Sequence, residues 1–257
     1  MKHVRFRDPA GSIRTGEWTD EDGTVADTDV AGTGGVIHAG GRQYTPEEVT
    51  VLAPSEPSKI VCVGRNYAAH AAEMGGDVPD RPSLFLKAPN AVATHNSDVR
   101  LPAGKERVDY EAELAVVIGE QCRNVSEADA DSVIAGYTCM VDISNRDDQR
   151  QEQNWIRGKA FDNAAPLGPV LATPEHVPQN ARIELTQNRE VRQTATREQL
   201  FFSVPELIAE ITTFLTLEPG DVIATGTPEG VGPLADGDDI TVRIEGIGTL
   251  HHSVSQP

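Results

Sequence analysis

Three acidic residues carry the chemistry that this chain most plainly offers. In VDYEAELAVVI, Glu111 and Glu113 stand two apart within an otherwise apolar run. On a strand such residues leave the same face, with backbones about 6.5–7 Å apart. Ala115 and Val117 continue that face, while Tyr110, Leu114 and Val116 line the other, so the strand turns apolar on both sides. A solvated outer face is the competing reading. Two carboxylates at the edge of a buried strand repel each other and lose hydration unless a cation or protons compensate. Asp142 ends the run GYTCMVD and leads into the polar SNRDDQRQEQ. An aspartate at a strand end commonly caps a helix. Joined to the glutamate pair, it would instead complete an all-oxygen donor set suited to Mg²⁺, Mn²⁺ or Ca²⁺. Three monodentate carboxylates would leave about three octahedral positions for water or a chelating substrate.

Lys159 is one of only five lysines and sits between Gly158 and an apolar run. It reads either as an ordinary surface lysine or as a cation set beside a developing oxyanion. His70 and Glu73 are spaced to be neighbours on a helix, where the carboxylate would orient the imidazole and raise its basicity as a general base. A surface pair has the same spacing. Gly75-Gly76 halts that helix and Pro79 and Pro82 follow, a pattern suited to a lid. The other six histidines show no ligand spacing, and His251 and His252 should point to opposite faces of a strand in structural roles. GTPEGVG lacks the Lys-Ser/Thr of a phosphate loop and reads as a tight turn that brings backbone close to a substrate.

The elements that must position these groups are short. Lys59–Gly64, Leu84–Lys87, Asp109–Ile118, a strand ending at Val141–Ser144, Asp221–Ala224 and Asp239–Ile244 read as strands. Tyr67–Met74, Glu127–Ile134 behind a Ser126 cap, and Val204–Leu215 with Pro205 at its start read as helices. Many strands, few helices and many Gly-Pro turns predict a β-rich α+β fold rather than a doubly wound sheet. Residues 1–57 are expected to form a small N-terminal β domain, joined through the Pro-punctuated LAPSEPS to a catalytic domain over 58–257.

The 257 residues carry a formal charge of −18, which disfavours nucleic acid and anionic membranes as partners. No apolar run approaches the roughly 18 residues that span a bilayer, and the N-terminus lacks a signal-peptide core, so a cytoplasmic protein is expected. Cys62, Cys122 and Cys139 are odd in number and form no CxxC pair, as expected of reduced intracellular thiols. Scattered acid with scarce lysine suggests a halophilic-type surface; unfolding in falling salt, followed by circular dichroism, tests this.

Taken in order, VGRNYAAHAAEMG, DYEAELAVVIG, GYTCMVDISNRDDQ, WIRGKAFDNAAPLGP and PGDVIATGTPEGVG closely resemble the fumarylacetoacetate hydrolase family over roughly residues 59–254. The resemblance implies a mixed β-sandwich roll, usually dimeric, with Glu111, Glu113 and Asp142 as metal ligands for Mg²⁺, or for Mn²⁺, with Ca²⁺ possible in crystals. It implies catalytic roles for His70, Glu73, Lys159 and Gln149, and substrate contacts from Arg65, Tyr67, Thr225, Gly226 and Thr227. The short N-terminal segment matches the family's short form, of the acylpyruvase and 2-hydroxyhepta-2,4-diene-1,7-dioate isomerase kind. The interval from Asp142 to Lys159 is shorter than in short-form acylpyruvate hydrolases, which leaves the substrate open. The leading expectation is hydrolysis of a C–C bond in an acylpyruvate- or fumarylacetoacetate-like 2-oxo acid. The alternatives are an oxaloacetate-type decarboxylase or a 2-hydroxy-dienedioate isomerase on the same metal, or a non-catalytic binding protein.

Overall fold

The computed structural model describes residues 1–19 and 34–257, so part of the N-terminal segment lies outside the described residues. The structure is strand-rich with few helices. Its centre is the strand Ala112–Ile118, buried at every position, so the run that is apolar on both sides is covered on both sides. This strand pairs antiparallel with Ile134–Val141 on one edge and Val222–Ala224 on the other. Val222–Ala224 runs parallel to Ile60–Gly64, which pairs with Ser83–Lys87. On the far side Ile134–Val141 pairs with Ala165–Ala172, which pairs with Lys2–Arg7. The hairpins Ile13–Thr19 and Val36–Ala39 to Arg42–Tyr44 extend the same 12-stranded sheet.

A second sheet, in the order Glu190–Thr196, Arg182–Gln187, Asp239–Ile244, Gly248–Ser255, Ser97–Arg100, packs against the first. Between them lie Leu114, Leu167, Ile183, Leu185, Val242 and Leu250, all buried. Each such side chain contributes about 1.5–3 kcal/mol relative to exposure. His252 faces this core and is fully buried, whereas His251 on the opposite face meets Asp239 and Asn96. The two histidines therefore do part across the strand.

The helix Val204–Thr212 starts as its sequence requires. Ser203 Oγ accepts from the Glu206 N–H at 3.5 Å, and the Glu206 carboxylate accepts from Ser203 N–H at 2.7 Å. Its Leu207, Ile208 and Ile211 face inward. Glu127–Val133 is wound as a 3-10 helix rather than an α-helix, and Ser126 Oγ donates to the Asp129 carboxylate instead of capping backbone. The LAPSEPS segment is tied down: Ser55 Oγ donates to Gly220 O at 2.5 Å, and Ser58 donates to Asp221. All three cysteines are buried free thiols. No helix among the described residues is long and apolar enough to cross a membrane.

The expected Asp109–Ile118 strand is broken. Val108–Tyr110 pairs into a separate three-stranded sheet with Ser144–Asn145 and Gly232–Pro233, and the ladder resumes only at Ala112. Glu111 occupies the break. Its carbonyl accepts from Asp142 N–H at 2.8 Å, which stitches the glutamate pair to the strand end that carries the third acid.

Candidate metal centre

The three acids meet. Glu111, Glu113 and Asp142 each present a carboxylate oxygen within 4.8 Å of the others, and all three are buried. Three elements converge here: the interrupted strand, the end of Ile134–Val141, and the short helix Ile156–Lys159. Gly158 permits the last approach, because a Cβ there would lie 3.0 Å from Gln149 backbone.

Lys159 projects into the cluster and donates to Glu111 Oε2 at 2.9 Å, Asp142 Oδ2 at 2.8 Å and Ser144 Oγ at 2.5 Å. Burial opposes its charge, but Asp142 and Glu111 more than offset this and hold the ammonium above its usual range. Burial likewise opposes the Glu111 carboxylate, yet Lys159 and Arg146 prevail and Glu111 titrates well below the ordinary carboxylate range. Glu113 fares differently. Burial, then Asp142, then Glu111 push its carboxyl well up, against the N–H of Gly226 at 2.8 Å and the charge of Lys159.

Two further cations, Arg146 and Lys87, which no motif in the sequence marks, complete the cluster. Arg146 grips Asp109 Oδ2 at 2.8 Å, Glu111 Oε1, and Gln149 Oε1 at 2.8 Å. Lys87 is fully buried, with its ammonium 2.8 Å from Asp142 Oδ1. That contact is an ion pair without hydrogen-bond alignment. The three N–H groups of Lys87 go instead to the carbonyls of Ile143 at 3.2 Å, Lys159 at 2.5 Å and Ala164 at 2.9 Å. Asp142 Oδ1 therefore receives no hydrogen bond among the described residues. A buried carboxylate oxygen with no aligned hydrogen-bond donor among the described residues, next to Glu113, whose charge is only partly compensated, and a third acid, fits a hard divalent cation.

The other expected residues divide into two groups. His70, Arg65, Gln149 and Thr227 line the same small recess as Glu111, Glu113 and Lys159, about 60 Å³ in volume. His70 Nδ1 lies 3.1 Å from Glu73 Oε2, on the helix Ala68–Glu73. Glu73 also accepts from Gly230 N–H at 3.0 Å, which joins that helix to the GTPEGVG turn. Phe85 and Trp155 form an apolar wall, with the Lys159 ammonium 4.9 Å from the Phe85 ring centroid. Thr225 and Gly226 do not line the recess but brace it: Thr225 Oγ1 donates to Leu114 O at 2.9 Å, and the Gly226 N–H holds Glu113. Gly226 has φ +100°, and a Cβ there would come within 3.0 Å of Val63 O and closer still to Asn66. Tyr67 is buried with its hydroxyl unpartnered among the described residues.

Known proteins share this arrangement of sequence. The Fumarylacetoacetate (FAA) hydrolase C-terminal family matches residues 59–255. Oxaloacetate tautomerase YisK of Bacillus subtilis is 40% identical over 229 residues, spanning 84% of this chain and 76% of that protein. The crystal structure of 5-carboxymethyl-2-hydroxymuconate delta-isomerase from Mycobacterium smegmatis superposes with a TM-score of 0.88 at 38% identity, covering 100% of this chain and 99% of that one. Fumarylpyruvate hydrolase from Pseudomonas aeruginosa, solved in complex with Mn²⁺ and pyruvate, gives a TM-score of 0.74 at 34% identity over 81% of this chain and 92% of that one. The ordered motifs, the strand-rich fold and these matches agree: the chain belongs to the fumarylacetoacetate hydrolase family.

Proposed function

We propose that this protein is a divalent-metal-dependent hydrolase that cleaves a C–C bond in a small 2-oxo or diketo acid, with Mg²⁺ or Mn²⁺ held by Glu111, Glu113 and Asp142. The observation that carries this reading is the His70–Glu73 pair at 3.1 Å, opening on the recess that contains the carboxylate cluster. Glu73 engages Nδ1 and leaves the other ring nitrogen for a water. His70 takes a proton from that water, and the hydroxide adds to the distal carbonyl carbon. The C–C bond then breaks, its electron pair moves towards the 2-oxo oxygen, and the proton held by His70 passes to the departing carbon. Lys159 places positive charge beside the oxygen on which negative charge develops. Gln149, Arg65 and Thr227 hold the substrate, while Thr225 and Gly226 fix the ligands from behind. A bound divalent cation would supply Lewis-acid polarisation of the chelating end of the substrate.

A second reading draws on the tautomerase and isomerase names of two relatives: the same recess moves a proton within a 2-oxo acid without adding water, and release of CO₂ from an oxaloacetate-like acid on the same metal belongs with it as the other water-free alternative. Turnover in ¹⁸O-water with Mg²⁺ or Mn²⁺ separates the two. Hydrolysis puts label into the carboxylate of the released acid. An unlabelled, tautomerised, isomerised or decarboxylated product overturns the hydrolase reading in favour of the second.

A further inference from the structure

The recess at the carboxylate cluster opens into an outer cavity of about 490 Å³ that shares Arg65, Met74, Arg146, Gln149 and Trp155 with it. The recess itself, at about 60 Å³, has room for little beyond the chelating end of a substrate, so the remainder of the molecule must lie in this vestibule. In a chain of net charge −18, the vestibule is lined by four arginines against two carboxylates, Glu73 and Asp109.

Two of the arginines are already engaged. Arg107 donates to Asp109 at 2.9 Å, and Arg146 is held by Asp109, Glu111 and Gln149. Arg65 and Arg150 have no carboxylate or carbonyl partner for their guanidinium groups among the described residues. Arg150 follows the helix Arg146–Gln149, and its N–H bonds Arg146 O at 3.1 Å, which places the two arginines one turn apart on one face. Like charges so placed repel, and the nearer one is neutralised by protein whereas the outer one is not. Arg65 is held at φ +58°, a backbone conformation disfavoured for a side chain of its size.

We propose that Arg150, together with Arg65, is the specificity-determining group for the tail of the substrate: it receives a terminal carboxylate on the molecule whose 2-oxo end lies at the cluster. This rests on the preceding functional reading. Planar guanidinium donors suit a carboxylate in two-point contact, whereas an alkyl or aryl tail would leave them without an acceptor. Trp155, Met74 and Val231 supply the apolar walls for the carbons between the two ends.

Calorimetry on the Mn²⁺-loaded full chain tests it, with 2-oxopentanedioate and 2-oxopentanoate as probes of equal carbon count. The native protein should bind the diacid at least tenfold more tightly than the monoacid, and Arg150→Gln should reduce that ratio about tenfold. Arg123→Gln removes the same charge at an exposed site outside the vestibule and should leave the ratio intact. Equal native affinities, an unchanged ratio in Arg150→Gln, or an equal fall in Arg123→Gln overturns the assignment of Arg150 while the functional reading stands. If neither acid shows Mn²⁺-dependent binding, the functional reading fails and the assignment falls with it.

Discussion

The Lys159 ammonium lies 2.8 Å from Asp142 Oδ2, and both groups are buried almost completely. One side chain comes from a short helix and the other from a strand end, and each offsets the cost of burying its partner.

Replacing Lys159 should therefore act on stability as well as on turnover. Lys159→Met leaves three carboxylates with less compensation, and the metal-free protein should lose about 3–5 kcal/mol, the usual effect of breaking a buried pair. Added Mn²⁺ should restore more of the melting temperature in this variant than in the native protein. Thermal melts with and without Mn²⁺ check this; identical metal-induced shifts would contradict it. The turnover number should fall about 10²–10³-fold.

Each ligand can be neutralised with little change in shape. Asp142→Asn and Glu113→Gln should each weaken Mn²⁺ binding by at least about tenfold, an amount calorimetry resolves directly. Unchanged affinity in both would mean that the cluster is not a metal site.

The His70–Glu73 pair separates chemistries. His70→Ala should lower hydrolysis about 10²–10⁴-fold, the usual contribution of a positioned base. Decarboxylation of an oxaloacetate-like acid, which needs no attacking water, should largely persist. Glu73→Gln keeps an acceptor for Gly230 N–H but loses its charge, so its effect should be smaller than that of His70→Ala. Initial rates on both substrate classes give the comparison.

Two buried histidines outside the recess should make the protein acid-sensitive. Burial, followed by the neighbouring His251, lowers His95 to about 4, and burial likewise holds His252 at about 4. Because the folded values lie below the unfolded value near 6.5, the unfolded chain takes up protons first as pH falls. Stability is therefore lost between about pH 6.5 and pH 4, by roughly 3 kcal/mol per histidine at the lower limit. Urea unfolding at pH 7 and pH 4.5 measures the loss, and His252→Gln should reduce it.

Much of the site could be read from the chain because the chemistry leaves local marks. Glu111 and Glu113 interrupt an apolar run, Asp142 follows one, and His70 and Glu73 stand at helical spacing. Lys87 left no such mark, because SLFLK reads as a strand end and its three carbonyl partners come from distant segments. Arg146 was hidden among charged neighbours in NRDDQ, and only the fold shows which acids it holds. The break at Glu111 was likewise out of reach, since it follows from Val108–Tyr110 pairing with Ser144–Asn145 and Gly232–Pro233 rather than from local propensity. The N-terminal strand Lys2–Arg7 is short and alternates polar with apolar residues, and its place beside Ala165–Ala172 is a long-range pairing that no local pattern marks.

The bond from Gly230 N–H to Glu73 spans 157 positions of chain. A ribosome making this polypeptide from its N-terminus thus releases the imidazole and all three acids long before the turn that steadies the glutamate. Until that turn is translated and docks, the nascent chain holds an incompletely assembled His70–Glu73 pair, so the pair takes its final geometry only after Gly230 has left the ribosome.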